Sequence, residues 1–247
     1  MKKNKLYGVI LGDLCGQPYE FKYKGDYSEF NIHDPKSKFT DDTLMTLATA
    51  KALIEDKPFE DCYKEIGLKY EGDYYGPRFK EWLKTPKGTV GNSYANGCLM
   101  RVSPCIYLDK SIALQKAVES CFCSHLNSDS IISVMNLMML YKDSKLREIS
   151  SKYNSKKYLQ LSTEFDVTAS GTFKFIEHAY WLTNSTQKTI EKVVKCGGDT
   201  DTNASIIGEL MNYTFDDLTE DNISYVRGKL DSYLLEILDK FNNKFNG

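Results

Sequence analysis

The chain has 247 residues, 41% hydrophobic and 27% charged, which is enough to bury a sizeable core in one large domain or two small ones. A net charge of −2 and a pI near 6.0 leave no basic excess to neutralise a phosphate backbone, so a broad nucleic-acid face is not expected. No apolar run reaches the length of a membrane span, and seven scattered cysteines without a CxxC pair suggest small buried thiols, not a disulfide framework or a zinc site.

The basic start, Met1 to Lys5, is followed by only Val9-Ile10-Leu11 as a continuous apolar stretch before Gly12-Asp13 interrupts it. That is too short for a signal sequence, and the expected compartment is the cytoplasm. Gly8, Gly12 and Gly16 lie four apart, so on a helix they form one smooth stripe for close contact with a second helix. Asp13 sits inside this apolar segment, where an unpaired charge is costly. Pro18 ends the helix and leaves Glu20 on a loop. Glu20 to Tyr27 carries a hint of strand alternation, with Phe21 and Tyr23 on one face.

Thr40-Asp41-Asp42-Thr43 comes next, directly ahead of an apolar helical run, and Asp199-Thr200-Asp201-Thr202 repeats the pattern near the other end. Ser, Thr and Asp are the preferred residues for capping a helix N-terminus, because their oxygens accept orphan amide protons. Capping needs one oxygen, and each tetrad supplies four oxygen-bearing side chains. Oxygen-rich tetrads at two helix mouths suit hard divalent cations, and two that converge have the plan of a two-metal centre. Capping and ligation can also coexist within one tetrad.

Helical periodicity runs through 43–55, 59–70, 111–122, 130–141, 171–183, 187–195, 202–213 and 223–241. The apolar stretch Ile131 to Tyr141 reads as a buried helix. Between 86 and 97 lies the longest candidate functional loop. The stretch from Gly88 to Arg101, rich in Gly, Asn and Ser and leading into an apolar helix start, is suited to an anion nest of backbone amides that would hold a phosphate or diphosphate. Arg101 at its end can balance phosphate charge or pair with a carboxylate. His125, one of three histidines, lacks companions for a zinc site. Val226, Leu230, Leu234, Leu238 and Phe241 space out one amphipathic helix that packs on the body. The expectation is one all-α domain over residues 1–247, a monomer of about eight to ten helices.

These pieces, in this order, resemble the ADP-ribosylglycohydrolase family. The residues that carry the resemblance are GVILGDLCGQPYE at 8–20, FTDDTLMT at 39–46, NGCLMR at 96–101, SH at 124–125, GTFKFIEHAYWL at 171–182 and CGGDTDTNASIIGEL at 196–210. The resemblance implies a compact orthogonal helical bundle with a binuclear magnesium or manganese centre in a cleft. It implies Thr40, Asp41, Asp42, Asp199, Asp201 and Thr202 as metal ligands, and Glu20 and Asp42 as catalytic groups. It further implies that Gly91, Asn92, Ser93, Tyr94, Ala95, Asn96, Gly97 and His125 bind the ADP-ribose. Ala95 stands where the family often has Gly. The implied activity is hydrolysis of the bond between ADP-ribose and an Arg or Ser side chain of a protein, or a small conjugate. The alternatives are a catalytically silent ADP-ribose binder on the same fold and a binuclear phosphoester hydrolase.

Overall fold

The computed structural model describes residues 4–20, 30–144 and 166–245. Apart from Glu20, the segment with strand-like alternation lies outside the described residues. The described part is all-α, as expected, with twelve α-helices, two 3₁₀ turns and no strand. Extended pairing is limited to two isolated bridges, Asn92 with His125 and Ala95 with Thr168. No helix among the described residues is long and apolar enough to cross a membrane.

The centre of the fold is the pair α1 (Tyr7–Gly16) and α10 (Thr200–Phe215). Every residue of α1 is buried. The glycine stripe explains how the two helices approach so closely. A Cβ on Gly12 would stand 2.0 Å from the Ala204 carbonyl oxygen, and one on Gly16 would stand 2.3 Å from that of Thr200. On the other helix, Gly208 meets Gly8 in the same way. The backbones therefore touch, and the register of α1 fixes where the second tetrad sits. Thr200 strengthens that register by donating from Oγ1 to the Gly16 carbonyl at 2.8 Å. The start of α1 has no local cap; instead Glu209, fully buried on α10, accepts from the amides of Leu6 at 2.9 Å and Val9 at 3.0 Å.

Around this pair lie α2 (Asp41–Glu55), α3 (Phe59–Lys69), α4 (Pro77–Leu83) and the one-turn α5 (Gly97–Met100). They are followed by α6 (Lys110–Glu119), α7 (Ser128–Asp143), α8 (Ala169–Ala179) and α9 (Thr186–Val194). Local caps set most of the starts: Asp109, Asn127 and Thr168 accept from Ser111, Ser130 and Gly171 amides. α4 was not readable as a periodic segment. Gly76-Pro77 looks like loop punctuation, but Pro at the first helical position starts a helix equally well.

Two expectations are corrected. The buried reading of 131–141 holds for one face of α7 only: Val134, Leu137 and Tyr141 are buried, while Ile132 and Met139 are each 55% exposed. The single helix over 223–241 is two helices, α11 (Glu220–Lys229) and α12 (Ser232–Lys244). Leu230 is extended between them, and Asp231 caps α12 by accepting from the Leu234 amide at 3.0 Å. The apolar spacing survives the break, because Val226, Leu230, Leu234, Leu238 and Phe241 are all buried in the core. All seven cysteines are free thiols and five are buried.

Candidate metal centre

The first tetrad forms the mouth of α2. Thr40 caps it, its Oγ1 accepting the Asp42 amide proton at 3.3 Å. Thr40 also donates, from N at 2.9 Å and from Oγ1 at 2.8 Å, to the carboxylate of Asp13 on α1. The Thr43 amide donates to the same carboxylate at 3.2 Å, and its hydroxyl donates there too. Asp13 is thus the partnered charge that the apolar segment demanded. Its place at the site was not legible, because its partners lie 27 and 30 residues away.

The second tetrad opens α10. Gly197 and Gly198 precede it at φ of 77° and 84°, left-handed values that glycine adopts without a steric penalty. Asp199 sits at the N-cap position but makes no side-chain cap bond. Its Oδ2 instead accepts from Asn96 Nδ2 at 2.7 Å, across from the short helix α5. Thr202 donates from Oγ1 to Asp42 Oδ2 at 3.1 Å, which ties the two tetrads together.

The tetrads therefore converge. Carboxylate oxygens of Asp13, Asp42 and Asp201 lie within 4.8 Å of one another, as do those of Glu20, Asp199 and Asp201. The two groups share Asp201. Asp13, Asp42, Asp199 and Asp201 are buried, while Asp41 and Glu20 are half-buried, and Asp41 belongs to neither group. No Lys or Arg among the described residues forms an ion pair with any of the six.

Crowding of the carboxylates shows in the proton affinities. Burial first, then Asp13 and other neighbouring carboxylates, holds Asp41 and Asp42 well above the usual carboxylate range. Burial and then Asp199 do the same to Asp201. Burial raises Asp13 to about 6 against the pull of its Thr40 and Thr43 donors, and raises Glu20 to about 7 with help from Asp199 and Asp13. Asp42 Oδ1 is sealed from solvent and has no hydrogen-bond partner. An orphaned carboxylate oxygen among carboxylates, with no basic side chain to answer it, fits a divalent cation held by hard oxygen donors.

The loop 91–97 departs from expectation. The amides of Gly91, Ser93 and Asn96 donate to the carbonyls of Cys123, Ser124 and Val167, and that of Ala95 donates to Ser93 Oγ. A continuous nest of free amides is therefore not present; among the described residues only the amides of Asn92, Tyr94 and Gly97 in this run lack a protein acceptor. The physical reason is the pair of isolated bridges, which consume the loop's backbone groups to hold it against 123–126 and 167–169. Asn96 remains at the site, through its bond to Asp199.

His125 is buried and faces inward. Its Nδ1 shares a 2.8 Å bond with Ser124 Oγ, and its ring lies against Gly97. Burial, then the charge of Arg101, holds its pKa well below the ordinary value, which favours the neutral imidazole. Arg101 forms no ion pair with a carboxylate among the described residues. It is 1% exposed, donates to the Ser120 carbonyl at 2.9 Å and to Ser124 Oγ at 2.7 Å, and lies over the Tyr63 ring at 4.1 Å.

Comparison with known proteins agrees with this architecture. A family model described as ADP-ribosylglycohydrolase matches residues 3–215. A solved structure described as an ADP-ribosylglycohydrolase-related protein complex superposes with a TM-score of 0.73. The similarity covers 99% of this chain and 98% of that one at 17% identity, a likeness of fold. No match was found among curated proteins.

Proposed function

The chain belongs to the ADP-ribosylglycohydrolase family, and from that membership we propose that it is a hydrolase dependent on two divalent cations, Mg²⁺ or Mn²⁺. The proposed reaction cleaves the N- or O-glycosidic bond that joins ADP-ribose to an Arg or Ser side chain, or to a small conjugate. The observation that carries the metal part is the buried, unpartnered Asp42 Oδ1 among carboxylates that no basic side chain neutralises. The proposed ligands are Thr40, Asp41, Asp42, Asp199, Asp201 and Thr202. When bound, the cations would supply Lewis-acid anchoring for ribose hydroxyls and offset the carboxylate charge.

The chain's own residues then divide the remaining work. Breaking the bond at the anomeric carbon develops oxocarbenium character, and the surrounding carboxylates favour that positive charge. Water supplies the oxygen that replaces the leaving group, and one of its protons ends on the leaving nitrogen or oxygen. Glu20, half-buried with its carboxyl raised to about 7, is suited to move that proton near neutral pH. The diphosphate would rest on the amides of Asn92 and Tyr94 rather than on the whole 91–97 loop.

The test is incubation with Arg- and Ser-linked mono-ADP-ribosyl peptides in Mg²⁺, Mn²⁺ or EDTA, with products identified by mass spectrometry. Metal-dependent release of free ADP-ribose is expected. Release of AMP or phosphate would favour a phosphoester hydrolase. Calorimetric binding of ADP-ribose without any product would favour a silent binder.

A further inference from the structure

The carboxylate of Asp13 differs from its neighbours in how its oxygens are used. Four donors reach it: both N–H groups and both hydroxyls of Thr40 and Thr43. Three of these bonds end on Oδ2 and one on Oδ1; each oxygen offers roughly two acceptor positions, so Oδ2 is committed to α2. Asp42, two residues along from Thr40, leaves Oδ1 with no partner at all. The four bonds also span two elements. They pin the first turn of α2 to α1, whose register against α10 is itself fixed by backbone contact at Gly12 and Gly16. Through Asp13, the position of Asp41 and Asp42 is referred to the helix that also fixes Asp201.

We propose that Asp13 is a positioning residue of the metal centre: it clamps Thr40 and Thr43 so that the first tetrad meets the second, and it does not itself ligate. This rests on the metal-dependent reading of the cleft. Outer partners that orient ligands typically contribute 10- to 100-fold to metal affinity, so the effect is measurable without reference to turnover.

The decisive variant is Thr43→Val, which keeps the side-chain shape and the backbone bond and deletes one hydroxyl donor. Mn²⁺ binding to EDTA-stripped protein is followed by electron paramagnetic resonance, with the metal-free melting temperature as the folding control. Thr43→Val is expected to weaken Mn²⁺ on the order of 10-fold with the number of ions at saturation unchanged. Thr43→Ser should restore wild-type affinity. Asp13→Asn is expected to weaken binding further, on the order of 100-fold, again with full occupancy at saturation. If Asp13→Asn does not fold, the two Thr43 variants decide alone. Wild-type affinity in Thr43→Val would overturn the clamp, and loss of one ion per chain in Asp13→Asn would make Asp13 a ligand instead. If the wild type binds no Mn²⁺, the metal reading falls and takes the clamp with it. If the wild type binds Mn²⁺ and the Thr43 variants match it, the clamp alone falls.

Discussion

At the scale of single residues, helix capping engages only part of each tetrad and leaves carboxylate oxygens over. Thr40 spends its hydroxyl on the α2 cap and on Asp13, while Asp42 keeps an oxygen free. Asp199 holds the cap position of α10 and caps nothing. Residue types announced both tetrads, because four oxygens exceed what a helix end needs. Which oxygen does what depends on partners such as Asp13, Asn96 and Gly16, and no local spacing reveals those. Glu20 is the group proposed for proton transfer. Glu20→Gln is expected to lower kcat by about 10²- to 10⁴-fold while Mn²⁺ affinity stays within a few-fold. Loss of metal binding in that variant would make Glu20 a ligand rather than an acid–base group.

The same carboxylates set a pH dependence. Asp13 and Glu20 have folded-state values raised, first by burial, from 3.8 and 4.5 to about 6 and about 7. Groups raised in this way bind protons more tightly in the folded state. The stability they lend is complete below the ordinary carboxylate range and is lost as pH climbs through 6 to 7. The metal-free protein is therefore expected to melt at a lower temperature at pH 7.5 than at pH 5.5. Saturating Mn²⁺ should shrink or reverse the difference, since ligation needs the deprotonated forms. A flat profile in EDTA would argue that these side chains are better solvated than the structure shows.

At the scale of elements, the α1–α10 contact is the part of the fold most openly written in the chain. Glycines four apart specify a bare stripe, and the structure fills it with the backbone of α10. Gly12→Ala would drive a Cβ to 2.0 Å from the Ala204 carbonyl oxygen, so the helices must separate. The expected cost is about 2–3 kcal/mol of overpacking, or a fall of roughly 5–10 °C in Tm, together with weaker metal binding. A melting curve and Mn²⁺ titration of that variant check both. Elements closed by distant contacts were less legible. The 91–97 loop has the composition of an anion nest, yet the amides of Gly91, Ser93 and Asn96 are taken by the carbonyls of Cys123, Ser124 and Val167. His125 is likewise placed by partners, its Nδ1 on Ser124 Oγ and its ring against Gly97. The C-terminal helix breaks at Leu230 because Asp231 caps a new start, while the apolar spacing continues across the break.

At the scale of the whole molecule, an all-α frame brings together two acidic tetrads about 160 residues apart and leaves their charge without a basic partner. A fold built this way would gain stability from ions bound in the cleft. Bound divalent metal at 100 times its Kd would add about 2.7 kcal/mol per site. The proposed function requires that this cleft hold two cations and that hydrolysis depend on them. The most direct test is to titrate EDTA-stripped wild type and Asp42→Asn with Mn²⁺, recording bound metal and ADP-ribose release in the same samples. Wild-type activity is expected to be absent without metal and to recover as two ions bind per chain, with neither recovering in Asp42→Asn. Full release of ADP-ribose by the stripped wild type, or by Asp42→Asn, would contradict the account.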